Sequence, residues 1–336
     1  MDDLLRVENL TISFRTDEGL ITPVQDVSFS LRKGETLGLV GESGSGKSVS
    51  TKAVMRLLPG NAVIAPNARM AYTAKDGQLV EVERLGPRSR ALRRLRGGEI
   101  GMIFQEPMAS FSPVYTIGTQ MIETIRLHRE RHPRRAREIA IEMLDRVGIS
   151  DPATRIDQYP HEMSGGMRQR AMIALALSAG PALLIADEPT TALDVTIQAQ
   201  VLDLMRALQR DLGMGMIFIT HDLGVIAQIA DQVAVMYLGT IVERGPTREV
   251  IRDPKHPYTQ GLLAAIPSLD RLDARMSPVP GDIPSPTERP QGCAFHTRCT
   301  RAVAGLCDSR NPRECAPAPG RAVRCWLHDE AGRSAA

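Results

Sequence analysis

The chain has 336 residues, 43% of them hydrophobic and 24% charged, which is typical of a globular protein with a buried core and excludes a disordered or fibrous chain. Its 41 basic and 39 acidic residues give a formal net charge of +2, so no strong overall field favours nucleic acid as a partner. No export signal precedes the first strand pattern, and the longest nearly apolar run, residues 171–186, is too short to span a membrane. These features predict a cytosolic protein.

Residues 4–31 contain the first predicted strands. Apolar and polar side chains alternate there with a period of two, as at Leu10, Ile12 and Phe14, which predicts half-buried antiparallel strands. A turn at Lys33-Gly34 follows, and a short strand is predicted at 36–40.

The middle of the chain alternates between buried strands and helices. Continuous apolar runs predict strands that are covered on both faces of a parallel sheet, at 100–104, 183–186 and 216–219. Helical patterns alternate with these strands, at 48–58, 134–147 and 196–212. Val49, Ala53 and Leu57 are expected to share one face of the first of these helices, which ends at Pro59-Gly60. This alternation predicts an α/β core.

Two arginine-rich stretches, 84–96 and 126–137, allow two interpretations. They could bind nucleic acid, or they could be solvated helix faces with Leu85, Leu92 and Leu95 turned inward. No aromatic side chains interleave the arginines to stack on bases, so we favour the solvated faces.

Residues 41–48, Gly-Glu-Ser-Gly-Ser-Gly-Lys-Ser, fit the phosphate-binding pattern G-x-x-x-x-G-K-[ST]. The predicted strand before them and helix after them are the context that this pattern requires. Glycines let backbone N–H groups surround phosphate oxygens, and the helix N-terminus adds partial positive charge. Lys47 is suited to reach the β- and γ-phosphates, and Ser48 to ligate Mg²⁺. The pattern predicts a nucleoside triphosphatase.

Asp187 and Glu188 directly follow a predicted buried strand. Adjacent carboxylates are often an ordinary solvated turn, but beside a phosphate-binding loop we expect Asp187 to hold Mg²⁺ and Glu188 to activate the attacking water. Gln105 and His221 also follow predicted strands, although alone they could be a strand cap and part of a helix cap. Because ligands of an open parallel sheet lie beyond the carboxyl ends of its strands, we expect all four to gather with the loop at one site.

Residues 159–170, Tyr-Pro-His-Glu-Met-Ser-Gly-Gly-Met-Arg-Gln-Arg, resemble the signature motif of ATP-binding cassette (ABC) proteins, with Met163 and Met167 where leucine and glutamine are common. Ser164-Gly165-Gly166 opens a predicted helix running to about Ala179, which gives a second anion-binding N-terminus. The resemblance covers about residues 4–250. It implies a P-loop NTPase cassette with a RecA-like parallel sheet core, an antiparallel β subdomain and a helical signature subdomain.

The ABC resemblance implies a role for each motif, in the family's order along the chain. Gln105 is the Q-loop glutamine and ligates Mg²⁺ with Ser48 and Asp187; residues 191–194 are the D-loop, and His221 is the switch histidine. The resemblance also implies that Glu188, His221 and Gln105 are the catalytic residues. The residues implied to contact ATP are Phe14, which stacks on adenine, and Gly41, Glu42, Ser43, Gly44, Ser45, Gly46, Lys47, Ser48, Val49, Ser164, Gly165, Gly166 and Asp194.

The composition changes near Ile251, beyond which prolines cluster and all five cysteines appear. We therefore predict a nucleotide-binding domain, 1–251, and a small cysteine-containing C-terminal domain, 252–336. Residues 256–267 resemble the segment that follows the cassette in ATPases of oligopeptide and dipeptide importers, and residues 41–49 are closest to the D-type subunit of these importers.

The C-terminal cysteines also resemble a motif of that importer family, with Cys315 extra and Arg321 where a histidine is frequent. Four thiols have the ligand type and number for a 4Fe–4S cluster or zinc, but no C-x-x-C pair is present. Two interpretations of these cysteines therefore remain: they bind a metal centre, or they are free thiols in a small packed domain. The four candidate ligands are Cys293, Cys299, Cys307 and Cys325.

The resemblance implies the ATPase subunit of an importer of peptides or related solutes, with ATP and Mg²⁺ as cofactors. Such a subunit is half of a nucleotide-binding dimer, here with a homologous F-type subunit rather than with itself. It acts on two membrane permeases at the cytoplasmic face of the bacterial inner membrane, in a system with an extracytoplasmic solute-binding protein. Residues 106–108 are implied to contact the permeases. The alternative is a soluble ABC ATPase acting on nucleic acid or ribosomes, which would lack the 256–267 segment.

Overall fold

The structure, a computed structural model, describes residues 3–17, 19–105, 111–191, 194–266 and 279–329. Contacts divide the chain into two compact units, each assembled from separate segments. The first unit comprises Met1–Leu5, Ser30–Glu35 and Ala71–Ile219, and the second comprises Arg6–Phe29, Thr36–Met70 and Thr220–Ala336. Position 251 falls inside the second unit, and the domain division at that position stays a prediction.

Two long strands open the chain, as the period-two pattern predicts. Strand β1 (Asp3–Thr16) lies beside β2 (Gly19–Arg32), and β1 also pairs antiparallel with β4 (Ala62–Ile64). Leu10 and Ile12 are fully buried. Two further short strands, β5 (Arg69–Thr73) and β6 (Leu79–Glu81), pair antiparallel with each other.

The first unit holds three parallel strands. Strand β7 (Ile100–Ile103) pairs with β8 (Leu183–Asp187), which pairs with β9 (Gly215–Thr220). Every residue of β8 and β9 is buried, as expected of strands covered on both faces. The predictions of these three strands are confirmed to within one residue at each end.

The second unit contains the strand that leads to the predicted phosphate-binding loop. Strand β3 (Thr36–Val40) is entirely buried and pairs parallel with β10 (Gln232–Tyr237), which is antiparallel to β11 (Thr240–Pro246). Strand β11 pairs in turn with the C-terminal strand β12 (Ala322–Val323). The C-terminal residues therefore extend the sheet that carries the loop.

The described α-helices alternate with these strands, which confirms the predicted α/β class. No helix in the described ranges is long and apolar enough to cross a membrane. In chain order the helices are α1 (Lys47–Val54), α2 (Arg90–Arg94), α3 (Ile117–His128), α4 (Pro133–Arg146), α5 (Pro152–Arg155), α6 (Gly165–Ser178), α7 (Val195–Leu212), α8 (Leu223–Ile229), α9 (Thr247–Arg252) and α10 (Pro257–Ala264).

Helix α1 is shorter than the sequence pattern predicts. It ends at Val54, because Arg56 has a left-handed φ of 55° that cannot continue a right-handed helix. Leu57 lies beyond the end of the helix and is 37% exposed, so its predicted place on one helix face with Val49 and Ala53 was wrong. An apolar residue at helical spacing does not reveal that the backbone has already changed direction.

In the arginine-rich stretch 84–96, the structure agrees with a solvent-exposed helix face rather than a nucleic-acid site. Leu92 and Leu95 are buried, whereas Arg84 and Arg94 form exposed ion pairs with Glu81 and Asp76. Leu85, expected to point inward with them, is only half-buried. The buried leucines and the carboxylate partners favour a helix face over a nucleic-acid surface.

Arg321, which stands where the importer family often has histidine, forms a buried ion pair. Its Nη2 lies 2.7 Å from the Glu243 carboxylate, and the two side chains are 4% and 1% exposed. The same carboxylate accepts hydrogen bonds from the backbone N–H groups of Lys255 and His256. Removing one partner of such a buried pair typically costs about 3–5 kcal/mol. The pair therefore fastens the C-terminal residues to β11 in addition to the β11–β12 pairing.

Candidate functional site

The predicted site residues divide between the two units. The second unit carries Phe14, the loop 41–48 and His221. The first unit carries Gln105, Asp187, Glu188, Asp194 and the signature residues 164–166. Residues 106–108 and the D-loop residues Ala192 and Leu193 lie outside the described residues.

The loop between β3 and α1 has a backbone that requires glycine. Gly44 and Gly46 have left-handed φ values of 78° and 95°, a conformation that residues with a Cβ rarely adopt. A Cβ at Gly46 would lie 2.5 Å from the carbonyl oxygen of Pro23, and one at Gly41 would lie 2.1 Å from that of Met236. The packing of the loop against its own unit thus excludes side chains at 41 and 46.

Lys47 points into the loop rather than into solvent. The residue is only 5% exposed, and its Nζ donates to the carbonyl oxygens of Gly41 (2.7 Å) and Glu42 (2.9 Å) and to Ser45 Oγ (3.2 Å). Helix α1 begins at this residue, with Gly46 as an N-cap that offers no capping side chain. The loop therefore concentrates an ammonium group and the positive end of a helix at one place, which is what a phosphate group needs.

The loop is also held by two C-terminal residues that the sequence analysis did not single out. Tyr258 Oη accepts a hydrogen bond from the Glu42 backbone N–H at 3.0 Å. Arg298 donates to both oxygens of the Glu42 carboxylate, at 2.8 and 3.1 Å. These contacts join positions 216 and 256 residues apart, a separation at which no local sequence pattern gives a signal.

The carboxylates of the first unit stand at the end of β8. Asp187 is the last residue of that strand and is 2% exposed. Glu188 follows with a left-handed φ of 48°, a strained conformation for a residue that is not glycine and one that occurs preferentially at functional sites. Its backbone N–H donates to the Ile219 carbonyl at 3.0 Å. The turn after the strand is thereby fixed, and it determines where the Glu188 carboxylate points.

The Glu188 carboxylate is bound on one oxygen by two neutral donors. Gln105 Nε2 donates to Oε2 at 3.1 Å, and Thr191 Oγ1 donates to the same atom at 3.0 Å. The structure therefore brings Gln105 and Glu188 together, as expected from their places after neighbouring strands. A carboxylate oriented in this way is placed to act as a proton acceptor for water.

The signature residues form the N-terminus of α6, which ends one residue before the predicted end near Ala179. Ser164 is the N-cap, and its Oγ accepts the Met167 backbone N–H at 3.3 Å. A Cβ at Gly165 or Gly166 would meet no described atom within 4 Å. Among the described residues, therefore, none crowds these two glycines at the start of the helix.

Two other predicted residues sit at helix starts. Asp194 Oδ1 accepts the Ile197 backbone N–H at 2.9 Å and so caps α7. The cap of α8 is Asp222, whose Oδ1 accepts the Gly224 N–H at 2.7 Å, and the neighbouring His221 is exposed. Phe14 is half-buried in β1, opposite Ala62 of β4.

The four cysteines predicted as metal ligands lie near one another in the second unit. The pKa of Cys293 is raised to about 11 and that of Cys325 to about 12, mainly by burial and to a smaller extent by the neighbouring cysteines, including Cys299 and Cys307. All are free thiols, and Cys315 instead lies 3.9 Å from Asp329 Oδ2. Within the described ranges, no group of three or more His, Cys, Asp or Glu side chains is arranged to hold a metal ion.

Two protein-family models match the chain in separate regions. The model described as ABC transporter matches residues 24–191. The model described as oligopeptide/dipeptide transporter, C-terminal region, matches residues 242–307.

The chain is similar to two curated proteins of Brucella abortus (strain 2308), each named as a peptide import ATP-binding protein. The first is 52% identical over 306 residues, which cover 89% of this chain and 90% of the relative. The second is 50% identical over 323 residues, which cover 96% of this chain and 94% of the relative.

Solved structures share the fold. A dimeric post-hydrolysis state of an ATP-binding cassette bound to ADP and Pi has a TM-score of 0.62 and 24% identity, with 73% of this chain and 99% of that chain covered. The protein cbiO1 from Clostridium perfringens, part of an ABC transporter complex, has a TM-score of 0.61 and 25% identity, with 75% and 92% covered. These likenesses confirm the predicted cassette fold.

Proposed function

The chain belongs to the ABC transporter family, in its oligopeptide/dipeptide branch, and we propose that it forms a nucleotide-binding heterodimer with a homologous F-type subunit. It is an ATP-hydrolysing subunit that energises peptide import, and ATP and Mg²⁺ are its cofactors. The observation that carries the proposed chemistry is the Glu188 carboxylate held by Gln105 and Thr191. The matching C-terminal region leaves the alternative, action on nucleic acid or ribosomes, without support.

Binding of ATP is assigned to the loop 41–48. Lys47 now hydrogen-bonds to loop carbonyl oxygens, and phosphate oxygens would offer its ammonium charged acceptors, which form stronger hydrogen bonds. Ser48 lies in the first turn of α1, and we assign its hydroxyl to Mg²⁺ together with Asp187 and Gln105. Bound Mg²⁺ neutralises charge that develops on the phosphates.

Hydrolysis is assigned to Glu188, with Gln105 and His221 in support. The hydrogen bonds from Gln105 and Thr191 orient the Glu188 carboxylate, which we assign to take the proton of the attacking water. The strained turn at Glu188 holds that carboxylate in a fixed direction, and a base that is already oriented lowers the barrier.

Pairing with a second ATPase is supported by the N-terminus of α6. A helix N-terminus binds anions, yet the loop 41–48 already has its own helix end in α1. We therefore assign Ser164, Gly165 and Gly166 to the nucleotide held by the partner ATPase, with Phe14, Val49 and Asp194 as further contacts within the paired sites.

Membrane permeases are the other partners that an ABC importer ATPase has. Because the chain belongs to this family and resembles peptide import ATP-binding proteins, we propose that it binds two permease subunits at the cytoplasmic face of the bacterial inner membrane. An extracytoplasmic solute-binding protein completes the proposed system.

The partner proposal predicts what a tagged full-length chain brings down from detergent-solubilised native membranes. A homologous ATPase and two permeases are expected in the eluate, each identified by mass spectrometry. Recovery of the permeases with a second copy of this chain, and with no other ATPase, would overturn the heterodimer. Recovery of ribosomes or nucleic acid in place of permeases would overturn the importer assignment.

The same complex allows a test of the α6 N-terminus. Gly165→Asp adds a side chain where no described atom lies within 4 Å, so the chain is expected to fold, but the carboxylate would repel the phosphates of the partner's nucleotide. We expect ATP-dependent pairing, measured by light scattering, to be lost. Gly60→Asp, at another position with no described atom within 4 Å, serves as the control and should pair normally. Normal pairing of Gly165→Asp would contradict the assignment.

We propose, as a separate property, that Cys293, Cys299, Cys307 and Cys325 hold a metal centre. Its support is the ligand type and number and the closeness of these four thiols within the second unit. Because the described side chains form no ready group of three ligands, binding requires the thiols to move closer together. The residues as arranged do not yet fit a metal, so no step of ATP hydrolysis is assigned to it.

Metal analysis of anaerobically purified chain tests this proposal. We expect about four iron atoms or about one zinc ion per chain, a content reduced at least about twofold by Cys299→Ser, because a tetrahedral site loses one of its four ligands. Cys315→Ser is the matched control and should leave the content unchanged. A colourless, metal-free and folded protein would exclude the centre.

A further inference from the structure

Glu42, inside the phosphate-binding loop, forms a bidentate ion pair with Arg298 of the C-terminal region. Arg298 Nη1 donates to Glu42 Oε2 at 2.8 Å and Nη2 to Oε1 at 3.1 Å. The two side chains are 4% and 25% exposed, so water screens the pair poorly. Two parallel hydrogen bonds fix the direction of the carboxylate as well as its distance.

Arg298 is itself held rigidly. Its Nε donates to the Pro280 carbonyl at 2.9 Å, and Nη2 also donates to the Val279 carbonyl at 3.2 Å. The guanidinium carbon lies 5.7 Å from the centre of the Tyr237 ring and 6.0 Å from that of Phe295, distances at which a cation is attracted to an aromatic face. The guanidinium therefore offers Glu42 a preformed site.

Tyr258 holds the backbone of the same loop residue. Its Oη accepts the Glu42 N–H at 3.0 Å, while its buried ring packs 4.7 Å from Tyr237 and 5.4 Å from Phe295, centre to centre. Burial raises the pKa of Tyr258 well above its ordinary value, so the group stays a neutral hydroxyl. Glu42 is thus fixed through both its side chain and its main chain.

The position of Glu42 determines where Lys47 lies. The carbonyl oxygens of Gly41 and Glu42 are the acceptors of the Lys47 ammonium, and a shift of Glu42 would move both. Attachment of the C-terminal region does not depend on this contact, since the β11–β12 pairing and the buried Arg321–Glu243 pair already provide it.

We propose that Arg298 and Tyr258 are positioning residues for ATP binding, which fix Glu42 and through it the loop that receives the phosphates. This inference rests on the proposed role of the loop in ATP binding. It makes the C-terminal region part of the machinery that binds nucleotide, in addition to whatever it contributes to stability.

Equilibrium binding of a fluorescent ATP analogue to the full-length chain tests the proposal. Arg298→Ala is expected to raise the Kd for ATP about tenfold, because a hydrogen-bonded charge pair is lost from the loop. Tyr258→Phe, which removes only the hydroxyl, should raise it about threefold. Adding Glu42→Gln to Arg298→Ala should weaken binding no further, since both changes break one interaction. The matched control is Arg244→Ala, which breaks the exposed Arg244–Glu314 pair of the same unit and should leave the Kd within about twofold.

A purely stabilising role gives different results. It would lower the thermal unfolding midpoint of the nucleotide-free chain and leave the Kd of the folded protein unchanged. In the assembled transporter, the positioning role predicts a raised KM for ATP with kcat within about twofold, since uniform binding is lost. If Arg298→Ala does not fold, the test uses Arg298→Lys and Tyr258→Phe instead. Arg298→Lys keeps the positive charge but cannot form the two parallel hydrogen bonds to the Glu42 carboxylate.

Lys47→Ala, measured beside these variants, separates this inference from the proposed function. If Lys47→Ala leaves ATP affinity intact, the loop does not bind ATP and the proposed function fails with it. If Lys47→Ala abolishes binding while Arg298→Lys and Tyr258→Phe bind ATP as the unaltered chain does, only the positioning role is overturned.

Discussion

Glu188→Gln is expected to lower kcat for ATP hydrolysis by about 10³-fold while ATP still binds. A glutamine keeps the length of the side chain and an oxygen that can accept from Gln105 and Thr191, which donate to the Glu188 carboxylate in this structure. It removes the negative charge that draws a proton from the attacking water. The loop around Lys47 and the Asp187 carboxylate stay unaltered, so the affinity for ATP with Mg²⁺ should change less than about threefold.

Phosphate release by the assembled transporter gives kcat, and a fluorescent ATP analogue gives the affinity. The matched control is Glu138→Gln, at an exposed carboxylate that pairs with Arg135 on α4, where both values should equal those of the unaltered chain. Turnover near the normal rate in Glu188→Gln would refute the role of Glu188 as the base.

Lys47→Ala is expected to weaken ATP binding about 100-fold, a loss consistent with removing charged hydrogen bonds to the phosphates. The lysine ammonium lies within the loop, 2.7 Å from the Gly41 carbonyl oxygen and 2.9 Å from that of Glu42. No other cation comes from residues 41–48, so alanine leaves the loop with only backbone N–H groups and the α1 helix end.

Titration of the full-length chain with the fluorescent analogue measures this loss, and circular dichroism confirms that the variant is folded. Lys52→Ala, which removes a lysine from the last turn of the same helix, is the control and should bind ATP normally. Retention of normal affinity by folded Lys47→Ala protein would show that ATP binds elsewhere.

The buried strands were predictable because burial on both faces leaves a continuous apolar signature. The runs at 183–186 and 216–219 became β8 and β9, whose residues are all buried. The contact between Gln105 and Glu188 was also predictable, since both residues follow strands that run in the same direction. Local composition thus determines much of the sheet and the edge where polar residues collect.

The end of α1 and the C-terminal contacts were not predictable in this way. Leu57 has the spacing of a buried helical residue, yet the left-handed backbone at Arg56 has already ended the helix. The Arg298–Glu42 pair joins positions 256 residues apart, and it depends on how Arg298 packs against residues 279–280 and the Tyr237 and Phe295 rings of the second unit. Such contacts follow from tertiary packing, for which a single sequence has no periodic signal.

The central claim is that this chain converts ATP hydrolysis into peptide import. Its most direct test is uptake of a labelled oligopeptide by liposomes that contain the purified transporter and its solute-binding protein, with the unaltered chain or Glu188→Gln as the ATPase. We predict peptide accumulation that requires ATP and Mg²⁺ and is lost with Glu188→Gln. Equal accumulation with both chains, or ATP hydrolysis by the unaltered chain without any peptide uptake, would contradict the claim.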